Sequence, residues 1–125
     1  MQSRTDKEAL AQAVYDIVIQ VPPGRATSYG AIAKAIGYPN LSRMVGRIMK
    51  NSSDYCKNLP AHRVVNSQGL LSGKDGFEHS GQMQQLLEQE GITVKGNKIN
   101  NWKNVFWDPM KEIQLFFFIM LLYFK

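Results

Sequence analysis

The sequence predicts a mainly α fold with a small β wing, a winged-helix-like helix-turn-helix domain. Three observations point there. Apolar residues recur at helical spacing in three successive segments between Asp6 and Asn51. The second and third segments are short, are joined by the turn-forming Tyr38-Pro39-Asn40, and the third carries a basic face. Beyond them lie short β-branched and apolar runs separated by turns rich in Asn and Gly.

The elements follow in order. From Asp6 to Gln20, Leu10, Val14, Ile17 and Val18 form one apolar stripe, and Asp6 and Glu8 suit a helix start. Val21-Pro22-Pro23-Gly24 stops it, because proline cannot continue the hydrogen-bond ladder. A second helix is expected from Tyr29 to Ile36, with Ser28 as N-cap and Gly37 as its stop. The third runs from Leu41 to Asn51, with Leu41, Met44, Val45, Ile48 and Met49 on one side and Arg43, Arg47 and Lys50 on the other. His62 to Val65 and Leu70 to Ser72 read as two strands of a hairpin, the wing, around Asn66-Ser67-Gln68-Gly69. Gly73 to Gly81, with three glycines, reads as a mobile loop. Gln82 to Glu90 is a further helix, and Ile92 to Ile99 a terminal hairpin around Gly96-Asn97.

The 125 residues suggest one domain, residues 1–112, followed by an apolar tail, residues 113–125. In that tail Leu115 to Phe124 are ten apolar residues in a row. About twenty are needed to span a bilayer, so no membrane is expected. Self-burial, self-association and an incidental tail all remain open for it. The polar start "MQSRTDKEAL" has no apolar signal core, and the single cysteine, Cys56, excludes an internal disulfide framework. Both fit a cytoplasmic protein. The net charge of +5 is concentrated: Arg25 to Arg63 holds seven basic residues and one acid. A cationic face of this kind suits phosphate, and so nucleic acid.

The residues offer little for catalysis. Cys56 has no histidine in motif relation to it. His62 and His79 are the only histidines, and neither has a Cys/Asp/Glu cluster, so no metal and no cofactor is expected. An imidazole oriented by Glu90 would normally activate a neighbouring nucleophile, but the neighbour of His62 is Ala61. An enzyme using Cys56 and a winged-helix transcription regulator that reads base sequence stand as alternative readings.

Three stretches in order, "VPPGRATSYGAIAKAIGYP" (Val21 to Pro39), "SRMVGRIMKN" (Ser42 to Asn51) and "PAHRVVNSQG" (Pro60 to Gly69), resemble the DNA-binding domain of O6-alkylguanine-DNA alkyltransferases. The resemblance runs from about Leu10 to about Glu90. The family motif is Pro-Cys-His-Arg, whereas this chain has Pro60-Ala61-His62-Arg63, which resembles the alkyltransferase-like branch that lacks the cysteine. The resemblance implies a non-enzymatic protein. It would bind O6-alkylguanine in double-stranded DNA by nucleotide flipping, leave the alkyl group in place, and shield or flag the lesion for nucleotide excision repair. It implies roles residue by residue. Tyr29 would help rotate the nucleotide, and Arg43 would fill the vacated place in the stack, with Ser28, Gly30, Arg47 and Lys50 also on the DNA. Tyr29, Ala61, Val64, Val65, Ser67 and Lys74 would form the lesion pocket. Asn51, His62, Arg63 and Glu90 would form an internal polar network.

Overall fold

The computed structural model describes residues 6–52 and 58–123, with the backbone alone over 114–120. Cys56 therefore lies outside the described residues. Helix α1 spans Asp6–Val18 and buries Val14, Ile17 and Val18, the stripe set by the helical period. A two-residue strand β1, Thr27–Ser28, leads directly into α2, Tyr29–Ile36. The Ser28 hydroxyl accepts a hydrogen bond from the Ala31 N–H at 3.1 Å, and Gly37 closes the helix in the left-handed conformation, as expected. Pro39–Leu41 is a 3-10 turn, and α3 follows at Ser42–Lys50 with Asn51 as its C-cap. Val45, Ile48 and Met49 bury one face of α3, each contributing about 1.5–3 kcal/mol by leaving water.

A 3-10 turn at Ala61–Arg63 feeds strand β2, Val64–Val65. The sequence predicts that this strand pairs with Leu70–Ser72. It pairs instead with β1, in parallel, with Thr27 opposite Val64 and Ser28 opposite Val65. The reason lies in the turn. The Asn66 carboxamide oxygen accepts from both Gln68 N–H and Leu70 N–H at 2.9 Å, and the Asn66 N–H bonds only the Leu70 carbonyl. An Asn that bonds its own downstream backbone holds a tight turn and keeps Leu70 from extending as a ladder partner. Leu70 forms a bridge to Lys98 instead. The small hairpin is the terminal one, β3 (Val94–Lys95) against β4 (Lys98–Ile99), turned by Gly96 and Asn97, both at positive φ. The stretch read as a mobile loop contains a 3-10 turn, Lys74–Gly76, before α4 at Gln82–Gln89. Two more helices close the chain, α5 (Trp102–Val105) and α6 (Pro109–Tyr123), the latter against α2.

Strand β2 divides the core. Val64 joins the cluster built by α1, α2 and α3, and Val65 joins a second cluster with Leu71, Met83, Leu87, Ile92, Val94 and Ile99. Successive strand residues point to opposite faces, so two adjacent valines anchor two half-cores. A cleft lined by residues of both clusters opens at their seam.

Candidate nucleic-acid interface

The cleft encloses about 810 Å³. One wall is α3, through Ser42, Arg43, Gly46, Met49 and Lys50. The floor is Tyr29, Leu59, Ala61, His62 and Val64, and the opposite wall is Ser72, Gly73, Asp75, Gly76, Phe77 and Glu78 with Gln82, Met83 and Leu86 of α4. Tyr29 is the first residue of α2, placed by the Ser28 cap. Burial pushes its phenol pKa up, and the adjacent Ser72 hydroxyl partly offsets this. The ring therefore stays neutral at physiological pH.

Gly73 sits against this phenol: a Cβ there would lie 2.6 Å from Tyr29 Oη. Gly73→Ala is therefore expected to displace the ring and cost about 1–2 kcal/mol, as added atoms in a packed site do. Urea unfolding reads that cost, and DNA titration reads the displaced ring. Unchanged values in both would show that the cleft yields freely at this point.

Beside Ala61, three side chains form a compact polar unit. His62 Nε2 lies 2.9 Å from Glu90 Oε2. Arg63 donates through Nε to Glu90 Oε1 at 3.0 Å and through its terminal nitrogen to Oε2 at 2.6 Å, a bidentate fork. The third Arg63 nitrogen donates to the Val21 carbonyl at 2.8 Å, tying the unit to the stretch that follows α1. Burial pushes the Glu90 pKa up, but the hydrogen bonds from Arg63 and His62 outweigh it and hold the carboxyl at about 2. Chemically, this is an oriented imidazole beside a methyl group. Nothing at Ala61 can attack an alkyl carbon.

The other sequence-selected residues fall in several places. Arg43, Arg47 and Lys50 are exposed on α3, and Arg43 and Lys50 line the cleft. Ser28 is buried and occupied as a cap, and Gly30 is half-buried on the same turn. Val65 is fully buried in the second core cluster, and Ser67 is exposed, its carbonyl accepting from the Trp102 indole at 3.1 Å. Lys74 is half-buried and is not among the residues lining the cleft, whereas its neighbour Asp75 is. Asn51 is exposed at the end of α3, where its backbone N–H bonds the Arg47 and Ile48 carbonyls, and it is not joined to the His62–Arg63–Glu90 unit.

The cationic window also resolves into parts. Arg25 donates to the Val105 and Phe106 carbonyls at 2.9 and 2.6 Å, and Arg63 is held by Glu90, so both serve the fold. Lys34, Arg43, Arg47 and Lys50 are exposed, and Lys57 lies outside the described residues. Sequence reasoning missed Gly73, Asp75, Phe77 and Glu78. Their only signal was the glycine spacing, which reads equally well as a flexible loop.

The family model described as 6-O-methylguanine DNA methyltransferase, DNA binding domain, matches residues 9–92. The chain belongs to this family. It is 33% identical over 100 residues to Alkyltransferase-like protein 1 of Schizosaccharomyces pombe, covering 77% of this chain and 92% of that protein. It is 41% identical over 83 residues to the DNA base-flipping protein of Vibrio parahaemolyticus, covering 65% and 78%. The crystal structure of S. pombe Atl1 in complex with damaged DNA containing O6-carboxymethylguanine superposes with a TM-score of 0.70 at 32% identity, over 84% of this chain and 98% of that one. The family also holds proteins named methylated-DNA–protein-cysteine methyltransferases. The helix-turn-helix-like, mainly helical fold expected from the sequence is thus the fold of this family. Among the described residues no helix is long and apolar enough to cross a membrane, and no group of His, Cys, Asp and Glu could hold a metal ion.

Proposed function

We propose that the chain binds double-stranded DNA at O6-alkylguanine, turns the damaged nucleotide out of the stack into the cleft, and holds it there with the alkyl group intact. The observation that carries this reading is Ala61: it lines the cleft beside a complete His62–Glu90–Arg63 unit, at the place where the family motif has cysteine. Flipping costs a few kcal/mol of lost stacking, and a planar, donating Arg43 on the lip of the cleft is suited to offset part of it. Arg47, Lys50 and Lys34 would meet phosphates. A complex that persists without repair would shield the lesion or flag it for nucleotide excision repair proteins. Leu121, Leu122 and Tyr123, 58%, 60% and 82% exposed at the end of α6, favour self-association of the chain.

One duplex, made with and without O6-methylguanine and carrying a radiolabelled methyl group, tests the core of this. The lesion duplex is expected to bind tighter, binding is expected to weaken steeply with salt, and no label should reach the protein. Equal affinity for both duplexes would sink the reading, and label on the chain would make it an enzyme working through Cys56. Arg43→Ala is expected to weaken both duplexes by about tenfold, the loss of one good arginine contact of about 1–3 kcal/mol. Unchanged affinity would remove Arg43 from the interface.

A further inference from the structure

We propose that the cleft sorts O6-alkyl groups by charge, accepting neutral and cationic substituents and disfavouring anionic ones; this rests on the lesion-binding reading above. The wall facing α3 is built by the 3-10 turn Lys74–Gly76 and the two residues after it. Asp75 of that turn and Glu78 just beyond it line the cleft, whereas Lys74 does not. Among the described residues neither carboxylate is in an ion pair; Glu78 accepts a single long bond from the Gln82 side chain, 3.5 Å. The lining also holds the apolar side chains of Met49, Leu59, Phe77 and Met83. An alkyl chain would lie along these side chains with its far end near the carboxylates.

The opposite wall carries Arg43 and Lys50, but in the complex these cations meet DNA phosphates and the vacated stack. His62 is turned to Glu90, whose charge is shared with Arg63. Of the charges that line the cleft, those left to act on the adduct are therefore Asp75 and Glu78, reinforced by the phosphates. An anionic adduct meets repulsion from both, and an ammonium meets attraction from both, each contact being of the modest size typical of solvent-exposed charges.

Fluorescence anisotropy at low salt, on one sequence carrying guanine, O6-methylguanine, O6-(2-aminoethyl)guanine or O6-carboxymethylguanine, reads the effect. The aminoethyl and carboxymethyl groups are close in size and opposite in charge. The aminoethyl duplex is expected to bind about tenfold tighter than the carboxymethyl duplex, a ratio that shrinks as salt rises. In an Asp75→Asn, Glu78→Gln double variant the ratio is expected to fall to about twofold or less, whatever happens to overall DNA affinity. Equal binding of the two adducts by the unaltered protein, or a ratio that survives the double substitution, would overturn the proposal. If O6-methylguanine binds better than guanine while the charged pair shows no difference, charge selection alone falls. If O6-methylguanine binds no better than guanine, the lesion-binding reading falls with it.

Discussion

An Ala61→Trp protein is expected to bind a duplex carrying O6-benzylguanine about tenfold or more weakly than the unaltered protein, while losing less than about threefold for O6-methylguanine. The argument is one of volume and position. Ala61 lines the cleft together with His62, Val64 and Leu59, and it packs against the core cluster that contains Val64 and Val45. An indole placed there fills the space that a long substituent needs and barely meets a methyl group. The side chain cannot sink out of the way, because the core beneath is closed: Val64 and Val45 are 2% and 0% exposed. Overpacking of this kind costs about 1–3 kcal/mol, which is one to two decades of affinity. The two titrations on the same variant are the measurement. A similar loss for both lesions would mean that the alkyl group points away from Ala61. The unfolding midpoint of the variant should accompany them, so that a general loss of fold is not read as a loss of room.

Glu90→Gln is expected to destabilise the protein by about 2–3 kcal/mol at pH 7, the largest stability effect of the substitutions considered. It removes the one carboxylate that answers both Arg63 and His62 in a site where all three side chains are only 12–16% exposed. The pH dependence gives the effect a signature. The carboxyl is held at about 2 in the folded protein, below its ordinary value near 4.5, so the folded state binds fewer protons than the unfolded state between these values. Its contribution is complete above about 4.5 and is lost as pH falls towards 2. Urea unfolding of both proteins across this window should show the gap closing as the solution is acidified. A gap that stays constant would mean that the stability of Glu90 comes from packing and not from its charge.

Much of this architecture was legible in the residues because it depends on local chemistry. Ser28 and Gly37 bracket α2 through a cap and a left-handed stop, both set by neighbours in the chain. Gly96-Asn97 turns the terminal hairpin for the same reason. The link from His62 to Glu90 was accessible because both side chains are polar and few partners compete for them. What could not be read is non-local. The parallel pairing of Thr27–Ser28 with Val64–Val65 leaves no periodic trace, since each strand is two residues long. Arg25 looked like one more cation of a binding face, and only the fold brings it to the carbonyls of Val105 and Phe106. The wall from Ser72 to Glu78 is made of turn-forming residues, and whether these wave freely or pack on Tyr29 is decided by the partner they meet.

The pairing of β1 with β2 has a consequence for how the protein comes into being. Tyr29 and Ala61 reach the same cavity only after two distant parts of the chain have closed on each other, and the remaining wall arrives still later in the sequence, with α4. Closing such loops costs entropy before any contact returns it, so the cavity exists only once these long-range contacts are made. Anything that occupies it binds the folded chain alone and holds that chain together by mass action. Damaged DNA is then also a folding ligand: in its presence the protein should resist proteases and heat better than beside intact DNA, by an amount fixed by how strongly the two duplexes differ in affinity.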